Sequence, residues 1–407
     1  MNGYGINLLG AKKLMSQNLY LHNPDQFGYY SVGDLRTYSK LEAIELHQKT
    51  GHHPEWHFNE AVFHSYDWKS EPQLPLTELY RQRAQQIRDQ YDYVVLFYSG
   101  GSDSTNILNT FVENNIKLDE CASFWAQGAD GDLTSHFSTE VASVAIPRMK
   151  TLPDITHRLL DLSEITEQVM TDPNVKFDWI YFMNNYFSPN NYVRSHLRRI
   201  IPAYRKMIDS GKSVCFVWGA EKPRVYSVDG KYCVRFQDLV DNTVSPWQQQ
   251  NPLAGEFDEL FYWSPKFASG IIKQAHVIMR FLKTATINPI DFRPHQNFNN
   301  LGTMYHYGST TRNGQKYWLT ADGINQLLYP TWNINTISVG KPRSPIWSNR
   351  DDWFFKTIGW SEAGRNFLNG IVKLDQVLTN NVNGYWKNKE DIVSGVKGCI
   401  TKPYFLE

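Results

Sequence analysis

An uninterrupted run of apolar residues constrains the fold of this chain more than any other feature. Residues 93–98 (YVVLFY) have the length of a strand and no alternation, which is typical of a strand buried on both faces of a parallel sheet. A turn with two glycines follows, and residues 105–114 then have helical spacing. Similar apolar runs recur at 121–126 and 214–218. The pattern predicts an α/β fold with a parallel sheet and right-handed crossovers.

The chain is long enough for more than one domain. Weak alternation at residues 28–32, followed by helical spacing from a Ser39 cap, is typical of a small α+β module. Strands give way mostly to helices after about residue 245, most clearly at 265–283 and 351–372. We therefore predict an N-terminal α+β module at 1–86, an α/β domain at 87–245, and a mainly helical, aromatic-rich region at 246–407.

Charge and cysteine content narrow the class of protein. Lys and Arg total 41, as do Asp and Glu, so no net charge draws the whole chain to nucleic acid or to an anionic membrane. No window approaches 18 apolar residues and no leader-like segment is evident, which predicts a cytoplasmic protein with no membrane partner. Reduced thiols are expected, because no C-x-x-C pair occurs among Cys121, Cys215, Cys233 and Cys399.

The turn at residues 99–104 (SGGSDS) has the properties of an anion site. Its glycines allow a close backbone approach to a ligand, and the helix behind it supplies unsatisfied N–H groups and a partial positive charge. Ser99 and Ser104 add hydroxyl donors. Asp103 would be repelled by bound phosphates unless a cation bridges them, so it is a candidate magnesium ligand or a helix cap. The alternative is a polar turn that only caps the helix.

Together with its strand, this turn (VVLFYSGGSDS) resembles the S-G-G-x-D-S signature of the PP-loop ATP pyrophosphatases. The resemblance implies a doubly wound parallel sheet, ATP and Mg²⁺ as cofactors, and cleavage of ATP between the α and β phosphates. A substrate carboxylate or carbonyl oxygen would be adenylated with release of pyrophosphate, and a nitrogen nucleophile would then displace AMP. By position, the residues that would bind pyrophosphate are Ser99, Gly100, Gly101, Ser102, Asp103 and Ser104.

A second loop, residues 219–224 (GAEKPR), follows the apolar run at 214–218. In the asparagine synthetase-like branch of the family, a loop at this place helps to hold magnesium pyrophosphate, so Gly219 and Glu221 would be binding residues and Glu221 a metal ligand. That branch has a further acidic pair, which is missing here, and Lys222 is expected instead to stabilise charge on the departing pyrophosphate. The alternative is an ordinary surface turn. Lys341 is a further catalytic candidate, because a lysine approaches the reacting centre in some amide-forming relatives.

The N-terminal module resembles the end of a glutamine amidotransferase domain at residues 29–44. Such domains need an N-terminal cysteine nucleophile, and residue 2 here is Asn, so no glutaminase activity is expected. The resemblance to the PP-loop ATP pyrophosphatases also implies that residues 119–127 line the adenine pocket, where Phe124 or Trp125 would either stack on the base or pack in the core. His53 and His57 are spaced for a metal site or for ordinary polar packing.

Three alternatives concern the partners and the reaction class. Apolar positions at 193–208 repeat with helical spacing, and the polar face of that helix is either solvated or a surface for a polyanion. A sulfur-transferring or sulfonucleotide-reducing relative would need a reactive cysteine, for which Cys121 and Cys215 lie in unfavourable apolar runs. A non-catalytic nucleotide-binding protein is the third alternative. The candidate polyanion-binding residues are Arg194, Arg198, Arg199 and Arg205.

Overall fold

The structure is a computed structural model, which describes residues 24–125, 141–161, 199, 201–220, 222–238, 244, 249, 253–284, 309–312, 315–318, 325, 327–330 and 400–407. Its strands are β1 (Tyr29–Val32), β2 (Leu35–Thr37), β3 (Pro54–His57), β4 (Tyr93–Phe97), β5 (Glu120–Trp125), β6 (Thr156–Asp161), β7 (Val214–Trp218), β8 (Val225–Val228), β9 (Lys231–Val234), β10 (Glu256–Leu260), β11 (Ser309–Arg312), β12 (Gln315–Trp318) and β13 (Tyr404–Phe405). Its α-helices are α1 (Lys40–Thr50), α2 (Glu60–Phe63), α3 (Leu76–Gln90), α4 (Ser102–Glu113), α5 (Ile146–Lys150), α6 (Pro202–Asp209) and α7 (Ala268–Thr284).

A parallel sheet of five strands confirms the predicted α/β fold. Its order is β10-β7-β4-β5-β6, and every neighbouring pair runs parallel. Strand β4, the first of the five along the chain, therefore lies in the middle of the sheet. Strands β5 and β6 follow on one side of it, and β7 and β10 follow on the other side. Leu96 of β4 lies between Cys121 of β5 and Val217 of β7, and all three side chains are fully buried.

Helix α4 connects β4 to β5 and packs against α3. Its apolar side chains recur with helical spacing, and Ile107, Leu108 and Phe111 are fully buried. Burial of each of these side chains stabilises the fold by roughly 1.5–3 kcal/mol. The helix that follows the glycine turn is thus held rigidly against the body of the protein.

The N-terminal part forms a separate antiparallel sheet of order β2-β1-β3, which α1 contacts. Ser39 caps α1 as predicted, because its hydroxyl accepts a hydrogen bond from the Glu42 N–H at 3.3 Å. The fully buried Lys40 ammonium lies 3.0 Å from the Asp238 carboxylate, which also accepts from the Tyr30 hydroxyl at 2.6 Å. These contacts join the N-terminal sheet to a remote part of the chain.

The domain boundaries remain predictions. The boundary between residues 86 and 87 lies within α3, and the boundary between 245 and 246 lies outside the described residues. Helix α7 confirms the helical pattern at 265–283, whereas the helix expected at 351–372 is outside the described residues.

The structure differs from the pattern of the sequence at three elements. Two strands of the main sheet, β6 and β10, were not predicted, and β10 lies in the region expected to be mainly helical. The helical pattern over 193–208 does not form one described helix, because α6 begins at Pro202. A proline fits the first turn of a helix, where its missing N–H is not needed, but it interrupts a helix interior.

The sequence pattern does not predict β10, because its acidic residues are untypical of a buried strand. In the folded chain, groups remote in sequence pair with them. Arg83 donates to Glu259 at 2.7 Å, and the Lys266 ammonium lies 2.5 Å from the other oxygen of that carboxylate. Burial alone would raise the pKa of Glu259, but these two cations outweigh it and lower the pKa to about 2. The Trp218 indole donates to Asp258 at 2.7 Å. A strand with three acidic residues can therefore lie within the sheet.

Across the described ranges, we find no helix that combines the length and the apolar character needed to span a membrane.

Candidate functional site

The glycine turn lies where the sequence predicts it, between the carboxyl end of β4 and the start of α4. Gly100 has φ of 84°, in the left-handed region that favours glycine, and Gly101 is the N-cap of α4. The turn also lies where the strand order changes direction, because the strands after β5 and β6 continue on the other side of β4. We call residues 99–104 the phosphate bend, after the ligand that the sequence analysis expects there.

Hydrogen bonds between its own residues fix the shape of the phosphate bend. The Ser99 hydroxyl accepts from the Gly101 N–H at 3.2 Å and lies 3.2 Å from the Ser104 hydroxyl. The Ser104 hydroxyl is also 3.2 Å from the Gly101 carbonyl, and the Thr105 N–H donates to the same carbonyl at 2.9 Å. None of the described side chains caps the helix. The first N–H groups of an α-helix have no partner within the helix, and such groups can bind an anion.

The loop after β7 meets the phosphate bend. A Cβ atom at Gly219 would lie only 3.3 Å from the Ser104 nitrogen and 3.3 Å from the Ile107 side chain, so the absence of a side chain permits the close approach. The Lys222 ammonium lies 3.0 Å from the Asp103 carboxylate, and only 8% of the Lys222 side chain is exposed. The structure thus brings Gly219 and Lys222 to the bend. Glu221 and Lys341 lie outside the described residues.

Asp103 does not cap its own helix. Its carboxylate accepts from the Tyr329 hydroxyl at 2.5 Å, and the same oxygen pairs with Lys222. A lysine ammonium at that distance competes with a divalent cation for the oxygen. In the part of the chain that the structure describes, no group of three or more His, Cys, Asp or Glu side chains is placed to hold a metal ion.

Residues remote in sequence contribute to the site, and sequence reasoning missed them. The Asn325 amide donates to the Ser102 hydroxyl at 2.5 Å, next to the contact of Tyr329 with Asp103. The Tyr262 hydroxyl donates to the Asp103 carbonyl at 3.0 Å. No local pattern marks these residues, because each lies more than 150 positions from the bend and its signal exists only in the folded chain.

Aromatic side chains gather at the carboxyl ends of the three central strands. The ring centroids of Phe97 and Trp218 are 3.9 Å apart, and Phe124 stacks on Phe97 at 4.8 Å. Phe97 and Trp218 are buried and belong to the core, whereas Phe124 is half-buried. Phe124 is thus partly exposed at the carboxyl end of β5. The Trp125 side chain lies outside the described residues.

Three cysteines are free and buried, in agreement with the predicted reduced thiols. Burial raises the pKa of the Cys121 and Cys215 thiols well above the ordinary value, and it raises that of Cys233 to about 12. Such thiols are poor nucleophiles at neutral pH. Cys399 lies outside the described residues.

The basic helix face and the histidine cluster have ordinary partners where they are described. Arg199 lies 3.4 Å from Glu256, and Arg205 lies 2.8 Å from Asp209. Arg194 and Arg198 lie outside the described residues, so the polyanion surface remains a prediction.

His57 bonds to the Ser31 hydroxyl at 2.7 Å and to the Glu60 carboxylate at 3.0 Å, while His53 stacks on His47. These contacts correspond to polar packing.

No protein-family model matches the chain, and no curated protein shows significant similarity to it.

Proposed function

We propose that the protein is an ATP pyrophosphatase of the adenylating type. It transfers AMP from ATP to a carboxylate or carbonyl oxygen of a substrate, releases pyrophosphate, and passes the activated group to a nitrogen nucleophile. One observation carries the proposal. The phosphate bend lies beside the change of strand order, and the loop after β7 closes on it with Gly219 and Lys222.

The strand order supports this assignment. Numbered along the chain, the strands of the sheet have the order 3-2-1-4-5, which is that of doubly wound folds. In such sheets ligands bind outside the carboxyl ends of the strands, at the point where the order reverses. We therefore propose a doubly wound sheet with the pyrophosphate of ATP at the bend after β4. The base would lie over the end of β5, where Phe124 is half-buried.

The chemistry follows from the charges at the bend. A substrate oxygen attacks the α phosphorus, the bond from that phosphorus to the bridging oxygen breaks, and the bond electrons leave with pyrophosphate. Backbone N–H groups at the start of α4 and the Lys222 ammonium favour this step, because negative charge grows on the leaving group beside them. The nitrogen nucleophile then attacks the activated carbon, and AMP leaves with the oxygen that it received.

Magnesium enters the proposal only as the expected counter-ion of ATP. The ligand pair predicted from the sequence, Asp103 and Glu221, remains a prediction, because Asp103 pairs with Lys222 and Glu221 is outside the described residues. Lys341 likewise remains a prediction.

Sulfur transfer is the second candidate for the same fold. It ranks lower because Cys121 and Cys215 lie inside strands, are fully buried and have raised pKa values. A series of Cys→Ser variants separates the two reactions. Full activity in every variant excludes a persulfide carrier, and loss of activity in one variant with an unchanged fold favours sulfur transfer.

The products of ATP cleavage test the proposal. We expect ATP labelled at the α phosphate to give labelled AMP and unlabelled pyrophosphate when it is incubated with Mg²⁺, ammonium and a panel of carboxylate and amide acceptors. ADP and phosphate would contradict the proposed cleavage, and a lack of turnover with tight ATP binding would favour a non-catalytic binding protein.

Lys222→Gln should slow the reaction about 10²–10³-fold. The control Lys150→Gln, at an exposed lysine of α5, should not.

A further inference from the structure

The segment that holds Asn325 and Tyr329 contacts two consecutive residues of the phosphate bend. Asn325 donates to the Ser102 hydroxyl at 2.5 Å, and Tyr329 donates to the Asp103 carboxylate at 2.5 Å. Both side chains come from one short stretch, in which the Tyr329 N–H donates to the Asn325 carbonyl at 2.8 Å. The segment therefore acts on the bend as one unit.

This segment is anchored to the body of the protein. The Tyr80 hydroxyl of α3 donates to the Leu328 carbonyl at 3.0 Å and accepts from the Gln274 amide of α7 at 2.9 Å. Asn325 and Tyr329 are 0% and 2% exposed. Burial and the nearby Asp103 carboxylate raise the pKa of Tyr329 well above its ordinary value, so its hydroxyl remains a donor at neutral pH. The contact with Asp103 is thus a fixed hydrogen bond between a tyrosine and a carboxylate.

One carboxylate oxygen of Asp103 accepts from the Tyr329 hydroxyl and also pairs with the Lys222 ammonium. A hydrogen bond donated to a carboxylate withdraws negative charge from it and fixes its orientation. With the tyrosine present, the carboxylate attracts the Lys222 ammonium less strongly and repels a nearby anion less. Without it, Lys222 would be the main compensation for that charge and would be less available to a phosphate.

We infer that Tyr329, with support from Asn325, is a positioning residue that keeps Lys222 available to the anion bound at the phosphate bend. The inference rests on the proposed function, because the anion is the pyrophosphate portion of ATP or the released pyrophosphate. It adds a part of the chain more than 200 residues from the bend to the machinery of that site.

The test compares two tyrosines with matched contacts. Tyr329→Phe and Tyr204→Phe each remove a buried hydroxyl that donates to a carboxylate at 2.5 Å, but Tyr204 contacts Glu120 at the opposite, amino-terminal end of β5. We expect calorimetric titration with pyrophosphate to show about tenfold weaker binding for Tyr329→Phe and unchanged binding for Tyr204→Phe. Both variants should lose thermal stability.

A double-mutant cycle separates positioning from general damage. In an Asp103→Ala background, Tyr329→Phe should have no further effect on pyrophosphate binding, because its acceptor is gone. Should Tyr329→Phe fail to fold, Asn325→Ala provides the second variant, and it should also weaken binding while Tyr204→Phe does not.

The outcomes distinguish the two proposals. If the unchanged protein binds pyrophosphate and Tyr329→Phe binds it equally well, the positioning role is wrong and the proposed function stands. An equal loss in Tyr204→Phe, or a full further loss in the Asp103→Ala background, also overturns the positioning role. If the unchanged protein does not bind pyrophosphate, both proposals fail.

Discussion

Asp103→Ala is expected to abolish release of pyrophosphate from ATP while the fold remains intact. The carboxylate fixes the Lys222 ammonium and the Tyr329 hydroxyl at the first turn of α4, so its removal takes the ammonium from its place beside the leaving group and loosens the segment at residue 329. The side chain of Asp103 is 30% exposed. Water can therefore replace part of the hydrogen bonding that the carboxylate contributes to the stability of the fold. The measurement is the initial rate of pyrophosphate release, together with circular dichroism to establish the fold.

Glu113→Ala is the matched control for this variant. Glu113 is an exposed carboxylate at the last residue of the same helix, and we expect its removal to leave the rate unchanged. An unaltered rate in Asp103→Ala would contradict the role given to this carboxylate. A loss of rate in Glu113→Ala would show that the assay responds to damage of α4 rather than to the bend.

Glu120→Ala is expected to have the largest effect on stability. Glu120 is fully buried at the start of β5, where it accepts from the Tyr93 hydroxyl at 2.9 Å and the Tyr204 hydroxyl at 2.5 Å, and pairs with Arg158 at 2.6 Å. Removal of the carboxylate leaves two phenol donors and a cation without their acceptor. The loss of unfolding free energy should be about 3–5 kcal/mol.

Chemical denaturation of Glu120→Ala and Glu113→Ala measures this difference. The exposed residue should change the unfolding free energy by no more than about 0.5 kcal/mol. A loss below about 1 kcal/mol in Glu120→Ala would mean that water satisfies the tyrosines and Arg158, and that this network contributes little. The network lies at the amino end of β5, so any loss of activity should follow from unfolding alone.

The central part of the fold could be predicted from the sequence because its signals are local. Strands β4 and β7 are uninterrupted apolar runs, and the bend between β4 and α4 carries its own glycines and helix start. The strand order, which places the loop after β7 beside the bend, could not be predicted. It depends on which strands pair, and the apolar runs are alike in composition.

The remaining parts depend on contacts between distant residues. The sequence of β10 is polar, because Glu256, Asp258 and Glu259 are three of its five residues. Their respective partners, which come close only in the folded chain, are Arg199, Trp218 and Arg83. Tyr329 is one of 23 tyrosines and lies 226 positions from Asp103. Nothing in the neighbouring residues distinguishes it, so its role could be found only from the structure.

Binding of pyrophosphate at the phosphate bend is the claim on which the account depends, and one amide signal tests it. Gly100 and Gly101 form the single Gly-Gly pair in the sequence, so protein labelled with ¹³C-carbonyl glycine and ¹⁵N glycine gives one carbonyl-coupled amide, that of Gly101. On titration with pyrophosphate, we predict a saturable shift of this signal, because the Gly101 N–H lies within the bend at the start of α4, beside the bound anion. An unmoved Gly101 signal at saturating pyrophosphate would contradict the account.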